Sequence, residues 1–440
     1  MLHSFPAVTR RVLRLYGWLF AGAGLAFVFG SSPLTSLINQ GSSFLPWARP
    51  LEGASRSLWL GVTGSLMAAV SYLSFALAQD PGRRIAWNCL LLAKAVSTAL
   101  FAIFSAMEQN TLFLLGFAVD GAIFAHLFAL RQGQRGEALL ATRWDGGSPF
   151  YEVWFAKMNE ASTGNALWLR YALESSRQGA SASCWYALFD RAGGRVTKGR
   201  WEAPISEWER GEACPFRLGE SRLKDGGLQG RNGGISWDLS WKKEAPAFRF
   251  IPSWLSGLLP SEYVSPAGLA RFSGRFLADQ KEYLFQEAPG SLGHLWGRRM
   301  AQEWRWAHAV FAGGTVFEIV SARVRLGPWL SPPLTSANLW HEGRIYRSSP
   351  WSLLMSGSRA EAGLWLFRVS LGDLTAEGEC GQDHSLLARL EYSSPEGRRL
   401  ACDNSKTGFM RLRLSGRDGA SIARLENPDS AAVEEARGIA

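Results

Sequence analysis

The amino-acid sequence predicts a helical membrane region followed by a larger all-β region. Three observations carry this. The first 137 residues hold 15 charged side chains and the remaining 303 hold 70, so charge density roughly doubles there. The first part contains apolar runs of about 20 residues, the length of helix that crosses a bilayer core. From Pro149 onward, apolar residues recur at every second position between Gly-rich turns, the period of half-buried strands.

The helices come first. Residues 57–79 are uncharged, 85–107 carry only Lys94, and 109–130 carry only Asp120. A weaker run, about 12–30, opens with Arg14. It could serve as a signal peptide, but its cleavage pattern is poor and three spans follow, so four transmembrane helices are expected. Arg10, Arg11, Arg14, Arg83, Arg84, Arg131 and Arg135 fall on one side of such a bundle, against Arg49 and Arg56 on the other. That bias places both termini inside. The expected location is a bacterial-type cytoplasmic membrane, with the β region facing the cytosol. Five scattered cysteines, Cys89, Cys184, Cys214, Cys380 and Cys402, suit a reducing compartment. Loop 31–56, with Trp47, is expected at the outer membrane interface.

The net charge of +9 suits an anionic membrane surface. No clustered basic stripe interleaved with aromatics exists, which argues against nucleic acid as a partner. Sixteen of the 20 Trp lie beyond residue 137.

After a linker, "FYEVWFAKM" and "NALWLRYALE" flank a turn, and "ASCWYALFD" and "RVTKGRWEA" flank another. "GISWDLSWKK" alternates strictly, and "HLWGRR", "WRWAHAVF", "VFEIVSARVRL", "GLWLFRVSL" and "GFMRLRLS" continue the pattern. Short strands this regular predict a sandwich or barrel architecture. The expected domains are 1–137 (helical), 143–288 and 289–422 (one β unit each) and a frayed tail, 423–440.

The densest chemistry lies in "SLGHLWGRRMAQEWRWAHAVF", residues 291–311. Alternate residues of a strand share a face, so His294, Trp296 and Arg298 fall together, as do Trp304, Trp306 and His308. Pointing into a barrel, they would form an apolar lining with two imidazoles. Trp faces stabilise cations, and a protonated His could donate to a developing charge. Filling of the barrel by the same residues is the plain alternative. Trp237 joins the candidate ligand-binding residues. Arg170 shares a face with Trp168; pointing inward it would need an acidic ligand group or a buried acid such as Glu152 as partner, and an outward, solvated Arg is the plainer expectation. Lys94 and Asp120 are expected to pair as glue within the bundle, with a proton or substrate path as the alternative, which His126 favours. No zinc spacing links Cys380, His384 and Cys402. "GGLQGRNGG" lacks the Gly-Lys-Ser/Thr of a phosphate loop, and no Gly-x-Ser-x-Gly elbow occurs. No metal or cofactor is expected.

The segments "FYEVWFAKMNEASTGNALWLRYALES", "GISWDLSW" and "GHLWGRR" followed by "WRWAH" resemble the lipocalin-like superfamily of tocopherol cyclase and carotenoid hydratase (hydroxyneurosporene synthase), over roughly residues 143–420. The resemblance implies two consecutive calycin β-barrels and chemistry that protonates an isoprenoid double bond, then adds water or closes a ring. It places His294, Trp296, Trp304, Trp306 and His308 in the family's aromatic/His segment, with His294 and His308 as the catalytic candidates. The acid that hydratases use is not placed; Asp238, Glu318 and Asp383 qualify by type, and each is expected in a turn or at the surface. The leading expectation is a membrane-tethered binder or carrier of a hydrophobic isoprenoid or lipid. An acid-initiated hydratase, cyclase or isomerase is the alternative, and a scaffold with filled barrels is the third.

Overall fold

A computed structural model describes residues 5–29, 40, 56–79, 84–109, 111–137, 139–209, 211, 214–251, 259–326, 328–349, 352–361 and 363–439. The chain divides into two compact units, residues 1–138 and 139–440.

Among the described residues of the first unit are four long helices: α1 (Phe5–Phe29), α2 (Arg56–Gln79), α3 (Arg84–Glu108) and α4 (Thr111–Glu137). Two described stretches, Ile85–Met107 and Phe113–Arg131, are long and apolar enough to cross a membrane. Of the four transmembrane helices expected, two meet that length and composition among the described residues. Leu13 and Phe20 of α1, Leu77 of α2, Trp87 and Leu90 of α3 and Leu127 of α4 form its core. Lys94 lies within this unit, its Nζ 2.9 Å from Asp120 Oδ1 and 4.6 Å from the centroid of the Phe20 ring. Ser97 donates to the other Asp120 oxygen. The expected pairing is present. Most of the expected outer loop, including Trp47, lies outside the described residues.

The second unit is almost entirely β. Its first sheet has twelve strands, including β1 (Phe150–Asn159), β2 (Ala166–Ser176), β3 (Gly179–Asp190), β4 (Arg195–Pro204), β5 (Ile235–Lys243), β6 (Ser261–Ala278) and β7 (Lys281–Gly297), in the spatial order β4-β3-β2-β1-β7-β6-β5. Shorter strands between 208 and 232 extend it past β5. The second sheet has ten strands. Its centre is β8 (Glu303–Val310), β9 (Val316–Arg323), β10 (Leu334–His341), β11 (Leu374–Gly381), β12 (Arg399–Gly416) and β13 (Ser421–Gly438), in the order β10-β9-β8-β13-β12-β11. The strand pairings among the described residues are antiparallel, so neighbouring strands can be joined by hairpins.

Each barrel-like sheet encloses a filled core. Trp154, Tyr171, Phe216, Trp237, Phe272 and Phe276 fill the first. Phe317, Ile319, Leu339, Phe367, Met410 and Leu412 fill the second. A third apolar cluster joins the sheets, with Trp168 and Trp185 of the first against Leu390, Tyr392 and Cys402 of the second. This seam positions the chemistry.

Two expected boundaries shift. The division between sheets falls between Gly297 and Glu303, because β7 pairs with β6 along its whole length and with β1 from Gly290 to Gly297. Residues 421–438, expected as a frayed tail, are a strand. Its acids find cations across the sheet, as Glu435 does with Arg305 at 2.5 Å, and Ala431, Ala432, Val433 and Ala436 are buried.

Candidate functional site

The expected lining residues separate into two places. His294 and Trp296 of β7 join the first sheet's interior face, where His294 lies opposite Trp154 of β1 in register. The His294 ring stacks on Trp154 (4.9 Å between centroids, 11° between planes) and lies 4.6 Å from Trp296. Gly293, on the opposite face of β7, makes room for Phe155: a Cβ there would stand 2.2 Å from that ring. His294 Nε2 is 2.8 Å from Glu152 Oε1, and both side chains are fully buried. Nδ1 faces the carbonyl oxygen of Leu139 at 2.6 Å, which only accepts, so Nδ1 carries a proton. Glu152 also accepts the backbone N–H groups of Arg143 (2.6 Å) and Trp144 (2.8 Å), and Trp154 Nε1 donates to Leu140 O at 2.9 Å. Glu152, Trp154 and His294 thus hold the segment 139–144 at the end of the first barrel. Burial lowers the His294 pKa, and the Glu152 carboxylate opposes that.

Trp304, Trp306 and His308 share a face of β8 as expected, but that face points away from the second sheet's core and into the seam. Ala307 and Ala309, on the opposite face, line the core. Small Ala residues there and large aromatics on the other face are the sequence signal for this orientation. His308 lies opposite Glu318 of β9, and Glu318 lies opposite Asn338 of β10, so three fully buried polar residues form a row across three strands. Trp306 Nε1 donates to Glu318 Oε1 at 2.8 Å. From the first sheet, Ser265 Oγ reaches both carboxyl oxygens (2.8 and 2.7 Å), and the Tyr263 hydroxyl donates to Oε1. Phe155 meets the Trp306 ring edge-on at 5.4 Å. Burial raises the pKa of Glu318, opposed by the donors Tyr263, Ser265 and Trp306. Three donors crowd Oε1 and only Ser265 approaches Oε2, so Oε2 is the oxygen with room for a proton.

Burial lowers the pKa of both candidate histidines, His294 and His308. His308 Nε2 donates to Gly268 O at 2.8 Å, leaving Nδ1 as an acceptor. Burial, followed by the charge of Lys157, holds its pKa well below the usual imidazole value. Glu318 is the buried acid, where a turn or surface position was expected. Its signal lies in "VFEIVSARV": Val316, Glu318 and Val320 share one face, so the acid sits between apolar neighbours. Asp238 is exposed and bonded by Gln229, and Asp383 accepts from Ser385 in a turn, as expected.

Two buried lysines that sequence reasoning did not single out complete the seam. Lys157 Nζ donates to Asn159 Oδ1 (3.2 Å), and Asn159 Nδ2 donates to Lys406 O (2.7 Å). Lys406 pairs with Glu434 at 2.6 Å and lies 5.0 Å over the Trp306 ring. Burial, then the Lys406 charge, lowers the Lys157 pKa to about 7. Lys157 shares its strand face with Tyr151, Val153 and Phe155, the same signal of a charge among apolar neighbours.

The other candidates are placed plainly. Arg170 is buried in the seam between the rings of Trp185 (4.8 Å) and Tyr392 (4.6 Å), and its acidic partner is Glu174 at 3.3 Å, not Glu152. Trp304 is half-buried and stacks on Tyr392. Trp237 is part of the first core, donating to the Tyr171 hydroxyl at 3.0 Å. Arg298 departs from the expected face: β7 ends at Gly297, and Arg298 is exposed one residue beyond it. Open clefts of about 490 Å³ lie beside Asp238, Gly274 and Leu284, and beside Leu366, Arg411 and Arg424; neither includes a residue of the seam cluster. Among the described residues no group of His, Cys, Asp or Glu could hold a metal ion.

Residues 251–435 match the family model described as tocopherol cyclase-like, an interval that contains Tyr263, Ser265, Trp306, His308 and Glu318. An uncharacterised protein of Mycobacterium tuberculosis, found in strains H37Rv and CDC 1551, is 27% identical over 280 residues, covering 62% of this chain and 84% of its own length. Two crystal structures also align. A Nitrosomonas europaea protein given the name AttH does so at 15% identity and TM-score 0.43, over 66% of this chain and 93% of its own. Kievitone hydratase from Nectria haematococca does so at 9% identity and TM-score 0.42, over 65% and 88%. Over residues 251–435 the chain is thus similar to the tocopherol cyclase-like family.

Proposed function

We propose that this is a membrane-tethered protein that acts on a hydrophobic isoprenoid or lipid at the seam between its two barrel-like sheets, by acid-initiated hydration, cyclisation or isomerisation. One observation carries the reading: Glu318, a fully buried carboxyl kept toward its neutral form, is surrounded by the rings of Trp306 and Tyr263 and lies inside the family-matched interval. Oε2–H would give its proton to a carbon–carbon double bond, whose π electrons form the new C–H bond. The carbocation left on the other carbon would face Trp306, Tyr263 and Phe155, whose ring electrons stabilise positive charge. Water or a hydroxyl of the ligand would then close the valence, and its proton would return to Glu318. His294 sits in the first barrel with Glu152, so its part is to position the segment 139–144.

The tether belongs to the same reading. We take the helical unit as four spans in a cytoplasmic-type membrane with the β region on the cytosolic side, as the Arg distribution favours. Leu66, Leu92 and Val119 are exposed apolar residues of α2, α3 and α4, as a lipid environment would demand. A ligand that barely dissolves in water would then be taken from the bilayer itself.

A second reading, a binder or carrier without turnover, is favoured by the donors that already occupy the Glu318 oxygens. The deciding experiment purifies wild type and Glu318→Gln in mild detergent, identifies retained lipid by mass spectrometry, and incubates both with that lipid in deuterated water. Deuterium on carbon with wild type and none with Glu318→Gln supports the acid. Retained lipid without deuterium in either leaves the carrier. No defined lipid in either sinks both readings.

A further inference from the structure

The hairpin between β9 and β10 carries an apolar tip that no part of the described structure covers. Arg325–Leu326 and Trp329–Leu330 pair as two short strands. Trp329 is 77% exposed, more than any other large apolar side chain among the described residues of the β region, and Leu330 beside it is 39% exposed. The base is clamped: Ser331 N donates to Val324 O (2.9 Å), Val324 N to Ser331 Oγ (3.0 Å) and Arg323 Nε to Ser331 O (3.1 Å). The tip is thus presented by a fixed base.

Its charge is one-sided. From residue 319 to residue 341 the chain has Arg323 and Arg325 and no Asp or Glu. Arg323 is neutralised by Glu303 at 3.3 Å, which leaves the exposed Arg325 beside Pro328, whose carbonyl it meets at 3.4 Å. A Trp with an apolar neighbour and an adjacent Arg is the composition of a segment that lies at headgroup depth. The indole is amphipathic, and the guanidinium is attracted to lipid phosphates.

We propose that the Arg325–Leu330 hairpin docks on an anionic bilayer surface, with Trp329 and Leu330 entering the headgroup layer and Arg325 contacting lipid phosphate. The occupant is the bilayer rather than a second copy of the chain. Self-association through this tip would bring the cations of two copies together with no carboxylate on the hairpin to receive them.

The test uses the full chain reconstituted in vesicles. Cys89→Ser and Cys214→Ser remove the cysteines that are not buried, and Trp329→Cys or, as control, Ala420→Cys in an exposed turn carries an environment-sensitive fluorophore. Vesicles are made of equal parts phosphatidylcholine and phosphatidylglycerol, with or without nitroxide-labelled lipid. The expected result is a blue-shifted label at 329 that loses most of its emission to lipid nitroxide, and keeps more of it when Arg325→Glu is added; the label at 420 is unaffected. Quenching at 329 by aqueous iodide with no more nitroxide effect than at 420 overturns the proposal. A blue shift without nitroxide quenching also overturns it, since the tip would then be covered by protein. Circular dichroism of the labelled variants confirms folding.

Discussion

Trp306 and Glu318 lie diagonally across adjacent strands of the second sheet, joined by a 2.8 Å indole-to-carboxyl hydrogen bond, and both point out of that sheet's own core. The family-matched interval thus directs its most distinctive polar pair toward the first sheet. Tyr263 and Ser265 of β6 complete the bonds of the acid, so the site exists only where two sheets meet.

Trp306→Phe keeps the ring and removes one donor to Glu318. The expected cost is about 1 kcal/mol, the net worth of a hydrogen bond. Its pH dependence is the sharper readout. Glu318 has a folded-state pKa raised by burial, so its stability contribution is complete below the unfolded carboxyl value and is lost as pH rises through the folded one. Withdrawing a donor that favours the carboxylate raises that pKa further and leaves the ionised form less satisfied. Melting curves should show a deficit that grows from acid to alkaline buffer. A deficit constant with pH would refute the link between the indole and the charge on Glu318.

Lys157 titrates with the opposite sign. Its amine pKa is lowered from 10.5 to about 7, by burial first and by Lys406 second. Its favourable contribution is present above the unfolded value and is lost as pH falls through about 7, because the folded state must then bury an ammonium group. Lys157→Met should therefore stabilise the protein below neutral pH, by on the order of 1–4 kcal/mol in the range found when buried charges are replaced by apolar residues. The advantage should shrink toward alkaline pH. A variant less stable than wild type in acid would mean that the amine holds the seam together through Asn159.

Much of this was readable in the sequence, and its limits have a physical cause. The helix/β division follows from charge density, and strand parity places His294 with Trp296 and Trp304 with Trp306 and His308. Parity assigns residues to a face without saying which face is the barrel interior. For β1, β2 and β8 that information is missing, because both faces are largely buried: one against the core, the other against the neighbouring sheet. A lining was therefore inferred where β8 contributes a seam. Arg298 failed for a different reason, since the strand ends one residue before it. The polar composition of 423–440 hid a strand whose charges pair across the sheet surface.

The Glu152–His294 pair should behave as a clamp on the chain entering the first barrel. Glu152→Gln retains one acceptor oxygen for two backbone donors, Arg143 and Trp144, and so leaves a buried N–H without its bond. The expected loss is about 3 kcal/mol, as for a buried pair deprived of one partner. Hydrogen exchange at the Arg143 and Trp144 amides should accelerate more than exchange in the second sheet. His294→Gln combined with Glu152→Gln should cost less than the sum of the singles. Additive losses would show that the two side chains hold the segment independently.

Lys94 and Asp120 offer the corresponding test in the helical unit. The ammonium is held by Asp120 at 2.9 Å and by the Phe20 ring, and Ser97 supports the carboxylate. Removing either charge alone strands the other in an apolar bundle, where an ionic group is expensive. Lys94→Met and Asp120→Asn should each lower the melting temperature in detergent, with losses on the order of 3 kcal/mol or more. The double variant should recover most of that loss, because no uncompensated charge remains. If it also keeps the chain's lipid turnover or lipid retention, the pair is glue between α3 and α4. Recovered stability with lost function would instead assign the pair to a polar path, and would make the Tyr16–His126 hydrogen bond at 2.7 Å the next position to substitute.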